Sequence, residues 1–159
     1  MDDEFVVRLF SQIATKCCRY PCDVTFQAPF PELQAHMTHA TITGSVRGNG
    51  KGFDIRILPG LPTSESWENL AHECSHVRCK HVSLVPPDIE AVTMLDAALR
   101  AGNLHKVFIA YGVCTSEADA AAMADKLEED DMLREAEANR IAKVILARWS
   151  TGDFECAKL

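Results

Sequence analysis

The sequence lacks any apolar run long enough to cross a membrane, because charged residues and prolines divide every hydrophobic stretch. It also lacks an excess of positive charge: the net charge of −7 at pH 7 argues against a surface that binds nucleic acid. The residues after Met1 are acidic, where a secretory signal would be basic. We therefore expect a cytoplasmic protein that binds neither membranes nor nucleic acids.

Paired Cys-x-x-Cys motifs, which frame many structural zinc sites, are also missing, although the chain has seven cysteines. The odd number excludes complete pairing into disulfides within the chain. Since no secretion signal is present, we expect reduced thiols. The local group Cys17, Cys18 and Cys22 is predicted to be small and buried, and a second metal site there is the alternative.

The first part of the chain is predicted to combine helix and sheet in an α+β fold. A length of 159 residues favours a single domain, 1–159. Apolar spacing and turn residues predict a helix at 3–17, a strand at 23–27, a loop or short helical turn at 28–37, and a hairpin of strands 40–47 and 53–57 joined by the glycine-rich turn 48–52.

The second part of the chain is predicted to be mostly helical. Capping residues and apolar periodicity indicate helices at 64–80 and 88–101, whereas 104–113 fits either a short helix or a buried strand. A helical pattern then runs over 116–149. It is long for a globular helix, so we predict a break near Asp130 and Asp131, followed by a loose tail at 150–159.

One pentapeptide carries most of the functional information, His72-Glu73-Cys74-Ser75-His76. Residues four apart lie on one face of a helix, so both imidazoles can reach one metal ion. Glu73 lies about 100° around the helix, where it can reach a water molecule without being a ligand. The spacing H-E-x-x-H is that of zinc metallopeptidases and predicts metal ligands His72 and His76 with Glu73 as general base.

A catalytic zinc ion needs a third protein ligand, and the helical segment 134–142 offers two glutamates. Glu135 heads an apolar stripe, where a carboxylate is costly unless it is paired or bound to a metal. Glu137 lies on another face with Arg140, where an ion pair is the simpler explanation. Glu135 is therefore favoured over Glu137, and Asn139 is predicted to orient a ligand histidine.

The two motifs together resemble the ImmA/IrrE family of metallopeptidases, in which an H-E-x-x-H helix precedes a helix of the form E-x-x-A-N. Here the second motif reads Glu-Ala-Glu-Ala-Asn over 135–139. The resemblance implies a zincin-like minimal metallopeptidase with a small antiparallel or mixed sheet packed on the H-E-x-x-H helix. It also implies gluzincin ligation of Zn²⁺ by His72, His76 and Glu135, with Glu73 as the catalytic base.

The interval between the two motifs is longer than in that family. This difference suggests a helical insertion over about 86–113 and leaves Glu90 as a rival third ligand. No helix-turn-helix segment accompanies the motifs, so the resemblance does not extend to DNA binding.

We therefore expect an intracellular zinc-dependent peptidase that hydrolyses peptide bonds in a protein or peptide substrate. The family suggests a regulatory repressor as that substrate. An extended substrate segment is predicted to pair along the hairpin edge at 39–47. One alternative is a non-catalytic, zinc-stabilised binding or regulatory module. Another is a structural zinc site closed by Cys79, three residues after His76.

Overall fold

The computed structural model describes residues 3–30 and 42–159, which form helices and a small mixed sheet. The protein is therefore α+β, as predicted. In chain order the elements are α1 (Asp3–Cys18), β1 (Cys22–Phe26), β2 (Gly44–Gly48), β3 (Phe53–Ile57), α2 (Thr63–Arg78), α3 (Ile89–Arg100), α4 (Leu104–Ala110) and α5 (Glu117–Ser150). Among the described helices, none is both long enough and apolar enough to span a membrane.

Strand β3 occupies the centre of the sheet, parallel to β1 and antiparallel to β2. The predicted hairpin is β2–β3. Its turn is held by the side-chain oxygen of Asn49, which accepts hydrogen bonds from the backbone amides of Lys51 and Gly52. Gly50 has φ of +90°, a conformation that favours glycine. Predicted residues 31–37 of the loop and 40–41 of the first hairpin strand lie outside the described residues.

Helices α1 and α2 pack on the sheet and on each other around the main hydrophobic core. The alternation predicted for β3 holds, because Phe53, Ile55 and Ile57 are all buried. The predicted apolar face of α1 also enters this core, and its Phe10 ring lies 4.4 Å from the Trp67 ring of α2 and 5.5 Å from Phe26. The N-terminal half of α2, the H-E-x-x-H helix, is thereby anchored in the core.

The segment 104–113, which the sequence left ambiguous, contains helix α4. Its Leu104 and Phe108 form a second, smaller apolar cluster with Ala98, Cys114 and Ala120. This cluster joins α3, α4 and the start of α5. Helices at 89–110 are consistent with the predicted helical character of 86–113.

The predicted break near Asp130 and Asp131 is wrong, because α5 is one continuous helix of 34 residues. No proline or glycine occurs between Gly112 and Gly152 to interrupt it. The Ser116 side chain caps the helix by accepting a hydrogen bond from the Asp119 amide. Each end of α5 packs on a different apolar cluster, which supports the exposed middle from both sides.

The prediction of a loose tail at 150–159 is also wrong. Cys156 is fully buried in the main core. The Arg78 guanidinium donates to the carbonyl oxygens of Glu155 and Cys156, and Arg148 donates to those of Ala157 and Lys158. Two arginines therefore hold the tail against α2 and α5.

All seven cysteines are free thiols in the structure. Cys17, Cys18 and Cys22 are buried in the main core, as the sequence predicted, together with Cys74 and Cys156. The five thiols lie close together because α1, β1, α2 and the tail converge there. Their burial in apolar surroundings fits packing residues.

Candidate metal site

The two histidines of the H-E-x-x-H motif lie on one face of α2 with their rings perpendicular to each other. Nε2 of His72 is 3.1 Å from Nε2 of His76. Both side chains are largely buried, with 22% and 12% of their surface exposed, respectively. The helical spacing thus brings two ring nitrogens to one point, as predicted.

Helix α5 brings Glu135 to the same point. Its Oε2 lies 3.1 Å from Nε2 of His72, and its Oε1 lies 3.1 Å from Nε2 of His76. The close contacts with His72 and His76 hold the pKa of the Glu135 carboxyl well below its usual range. Of the three acids considered as third ligand, Glu135 is the one that the structure places against both histidines.

Ser75 sets the position of α5 relative to α2. Its hydroxyl is fully buried and lies 2.9 Å from the carbonyl oxygen of Ala138 and 2.5 Å from that of His72. Ala138 is itself fully buried and small, so the two helices approach closely. Because Ala138 is one turn beyond Glu135, this contact places the carboxylate opposite the histidines.

The three mutual contacts cannot all be hydrogen bonds. A neutral imidazole carries at most one proton at Nε2, and a carboxylate carries none. If both nitrogens donate to Glu135, then His72 and His76 face each other at 3.1 Å with two donors. If one donates to the other, a lone pair faces the carboxylate. A shared cation resolves this conflict, since all three atoms can then present lone pairs to it.

The donor set and its dimensions fit zinc. Zinc binds histidine nitrogen and carboxylate oxygen at about 2.0–2.1 Å in tetrahedral geometry, which separates neighbouring donors by about 3.3 Å. The three separations here are each 3.1 Å. His72, His76 and Glu135 would therefore hold the ion and leave a fourth position for a water molecule or substrate, as catalytic zinc sites do.

Glu73 lies beside the two histidines but outside their group of donor atoms. It is 5% exposed, and burial raises the pKa of its carboxyl to about 6. Gly44 at the start of β2 makes room for it, because a Cβ atom at that position would lie 2.9 Å from Oε1 of Glu73. A carboxyl that titrates near neutrality is suited to accept and return a proton.

The burial of Glu73 predicts that Glu73→Gln stabilises the metal-free protein. Each pKa unit corresponds to about 1.4 kcal/mol, so the rise from 4.5 to about 6 corresponds to about 2 kcal/mol at pH values above about 6. The folded chain holds the proton up to about pH 6, whereas the unfolded chain releases it near pH 4.5. The loss of stability caused by ionising Glu73 is therefore absent below the lower pKa and complete above the higher one.

Urea denaturation of both proteins without metal, at about pH 4 and about pH 8, measures this difference. We expect equal unfolding free energies at the lower pH and a more stable variant at the higher pH. A gain of the same size at both values would show that the ionised carboxylate is not its cause.

Asn139, predicted to orient a ligand histidine, lines the same cleft as His72. Burial acts to lower the pKa of His72, but the hydrogen bond with Glu135 and the nearby carboxylates outweigh it, so that the pKa is raised. Asn139 is one turn beyond Glu135 on α5. A single helix thus carries both the third donor and the residue predicted to orient His72.

The other acids and the cysteine considered in the sequence lie elsewhere. Glu90 is exposed in the first turn of α3, and it is not among the described residues that line the cleft. Glu137 contacts His81, and Cys79 lies with these two residues in a second group of donor atoms. The structure therefore does not place Cys79 as a fourth ligand beside His72, His76 and Glu135.

A cleft of about 860 Å³ leads to the three donors. One wall is the edge of the sheet, from Ile42 to Val46, and another is the side of α5 that carries Arg134 and Glu135. Helix α2 forms its floor with the His-Glu-His motif. The three donor atoms are therefore reachable from solvent through an opening large enough for a segment of peptide.

Three residues of this site were missed by the sequence reasoning. Ser75 and Gly44 position other side chains, and nothing in their local sequence marks that role. His81 contacts His76 through its Nδ1 atom. Its spacing of five residues from His76 was visible, but that spacing lies off the helical face, and only the end of α2 explains the contact.

Comparisons of the chain with protein-family profiles, with curated proteins and with solved structures returned no match.

Proposed function

We propose that this protein is a zinc-dependent peptidase that hydrolyses peptide bonds in a protein or peptide substrate. The observation that carries the proposal is the triangle of His72, His76 and Glu135, whose donor atoms are mutually 3.1 Å apart at the floor of an open cleft. A buried glutamate beside two histidines and a carboxylate is the set of groups that metal-assisted hydrolysis requires.

When bound, zinc supplies a Lewis acid that polarises a carbonyl group and lowers the pKa of a water molecule. Glu73 takes a proton from the attacking water and delivers it to the leaving amine. Its pKa of about 6 suits both transfers near neutral pH. Asn139, which lines the cleft with His72, would orient the His72 ring.

The substrate is proposed to bind as an extended strand along β2. In the described part of the chain β2 is an edge strand of the sheet, and the stretch from Ile42 to Val46 lines the cleft. Near Gly48 the backbone of Ser83 and Leu84 packs on the same face of the sheet as Glu73 does at Gly44, so these contacts leave the hydrogen-bonding edge of β2 uncovered. Pairing at the end of β2 next to Glu73, which lines the cleft, would bring a substrate carbonyl towards the donor triangle.

The ImmA/IrrE-like, zincin-like fold and the cytoplasmic location are parts of the same proposal. The order of hairpin, H-E-x-x-H helix and glutamate helix supports the former. The free state of all seven thiols agrees with the latter. A repressor as substrate remains an analogy with the family.

The proposal is tested by metal content and metal-dependent cleavage of the full chain. We expect about one zinc ion per chain and hydrolysis of members of a peptide library, lost with a chelator and restored by zinc. His105→Ala on α4 is the matched control, because this histidine is not among the described residues that line the cleft. Metal-free protein after purification and zinc titration would contradict the proposal. Zinc-loaded protein that cleaves nothing but retains a bound partner intact would favour the non-catalytic module.

A further inference from the structure

A third histidine and a second glutamate continue outward from the donor triangle. Nδ1 of His76 lies 3.0 Å from Nδ1 of His81, and Nε2 of His81 lies 2.8 Å from Oε1 of Glu137. His81 is nearly buried, with 10% of its side chain exposed, whereas Glu137 is 46% exposed. The contacts form an unbroken path from a donor of the triangle to a surface carboxylate.

The end of α2 explains why His81 meets His76. The backbone N–H of His81 donates to the carbonyl of His76, and that of Lys80 donates to Val77. Lys80 has φ of +60°. These are the bonds of a Schellman motif, in which the side chain two residues past the cap residue packs on the one in the helix's last turn. That contact is usually apolar, and here it joins two imidazoles.

The direction of these hydrogen bonds follows from the metal. A neutral His76 that binds zinc through Nε2 carries its proton on Nδ1. It must donate that proton to Nδ1 of His81, which then carries its own proton on Nε2. This second proton points to the Glu137 carboxylate. One arrangement of two protons thus satisfies every contact.

The positions of these two protons also argue against a second metal ion at Cys79, His81 and Glu137, although their donor atoms lie within 4.8 Å of one another. An ion there would take the lone pair of Nε2 of His81 and leave the proton on Nδ1. Two Nδ1–H groups, those of His76 and His81, would then face each other at 3.0 Å. Simultaneous ligation by both neutral histidines is therefore excluded.

We propose that His81 and Glu137 are positioning residues, which fix the tautomer and ring orientation of His76 and strengthen its binding to zinc. The inference rests on the proposed zinc site and adds two residues to it. A carboxylate that accepts from a ligating histidine is common in zinc sites. Here an imidazole is inserted between the two, so that the carboxylate acts from the surface.

Zinc affinity of the full chain, measured by competition with a chromophoric chelator, tests the inference. We expect His81→Ala and Glu137→Ala to weaken zinc binding by about 10–100-fold while the stoichiometry stays unchanged. Glu137→Gln keeps an acceptor for the His81 proton and is expected to lose less. His105→Ala should match the wild-type affinity, since this residue lies on α4 and is not among the described residues that line the cleft. Because Glu137 is an exposed helical residue, its variants keep the test valid if His81→Ala does not fold.

Long-range ¹H–¹⁵N NMR spectra of the zinc-loaded chain give a readout that a merely structural role would not move. We expect the proton on Nδ1 of His76 and on Nε2 of His81. A second zinc equivalent that is lost in Cys79→Ser, or a proton on Nδ1 of His81, would overturn the inference. If His81→Ala and Glu137→Ala both bind zinc with wild-type affinity, this inference alone is overturned. If the wild-type protein has no affinity for zinc, the proposed function is overturned and this inference with it.

Discussion

Glu73→Gln is expected to reduce peptide hydrolysis by about 10²–10⁴-fold, the usual contribution of a general acid–base group, while the protein keeps its zinc. The amide has nearly the shape of the carboxylate but cannot accept a proton from water. The metal is retained because the Glu73 carboxylate is not in the donor group of His72, His76 and Glu135. The loss is expected in kcat more than in KM, since proton transfer belongs to the transition state.

The measurement is steady-state cleavage of the best library peptide, with metal content determined on the same sample. Glu90→Gln is the matched control: it removes one carboxylate from an exposed position on α3, and it tests the rival third ligand at the same time. Unchanged cleavage in Glu73→Gln would remove Glu73 from the mechanism. Loss of zinc in Glu90→Gln would revive Glu90 as a ligand.

Glu135→Gln is expected to weaken zinc binding by more than about 100-fold, the largest loss expected when only an orienting partner is removed. The reason is that the substitution alters an atom that the proposed site assigns as a zinc ligand. An amide oxygen is neutral and a poorer zinc ligand than a carboxylate. The variant should also lose the zinc-dependent rise in unfolding free energy, which is about 2.7 kcal/mol when free zinc is 100-fold above the dissociation constant.

Chelator competition and thermal denaturation with and without zinc measure the two effects. Glu129→Gln provides the control on the same helix, because this residue is exposed and lies outside the cleft-lining set. Wild-type affinity in Glu135→Gln would contradict its assignment as a ligand. Hydrolysis that persists at normal rates despite lost zinc would contradict the metal-assisted mechanism as well.

Local rules predicted most helices and strands of the described chain. The 3.6-residue period of α1, the alternation in β3 and the Asn-Gly turn of the hairpin each depend on neighbours in sequence, so one sequence suffices to read them. The predicted break in α5 is wrong because the length of this helix depends on how its two ends pack. Ala120 and Ile145 are buried in different clusters, so both ends of the helix are held by tertiary packing.

The prediction of a loose tail at 150–159 is wrong for a related reason. Nothing in its own composition predicts order, and its backbone is held by Arg78 and Arg148, which come from other elements. Such contacts join residues that are distant along the chain, as in the case of Arg78 and Cys156. Their existence depends on how α2, α5 and the end of the chain pack.

The sequence by itself determined that His72 and His76 share one helical face and that Glu73 lies beside it, since these relations follow from the pitch of the α-helix. It also favoured Glu135, because a carboxylate on an apolar stripe needs a partner. Only the tertiary structure decided the rest. The distance from Glu135 to the histidines depends on the packing of α2 against α5, the raised pKa of Glu73 depends on burial, and the contact of His81 with Glu137 depends on a chain reversal meeting a distant helix.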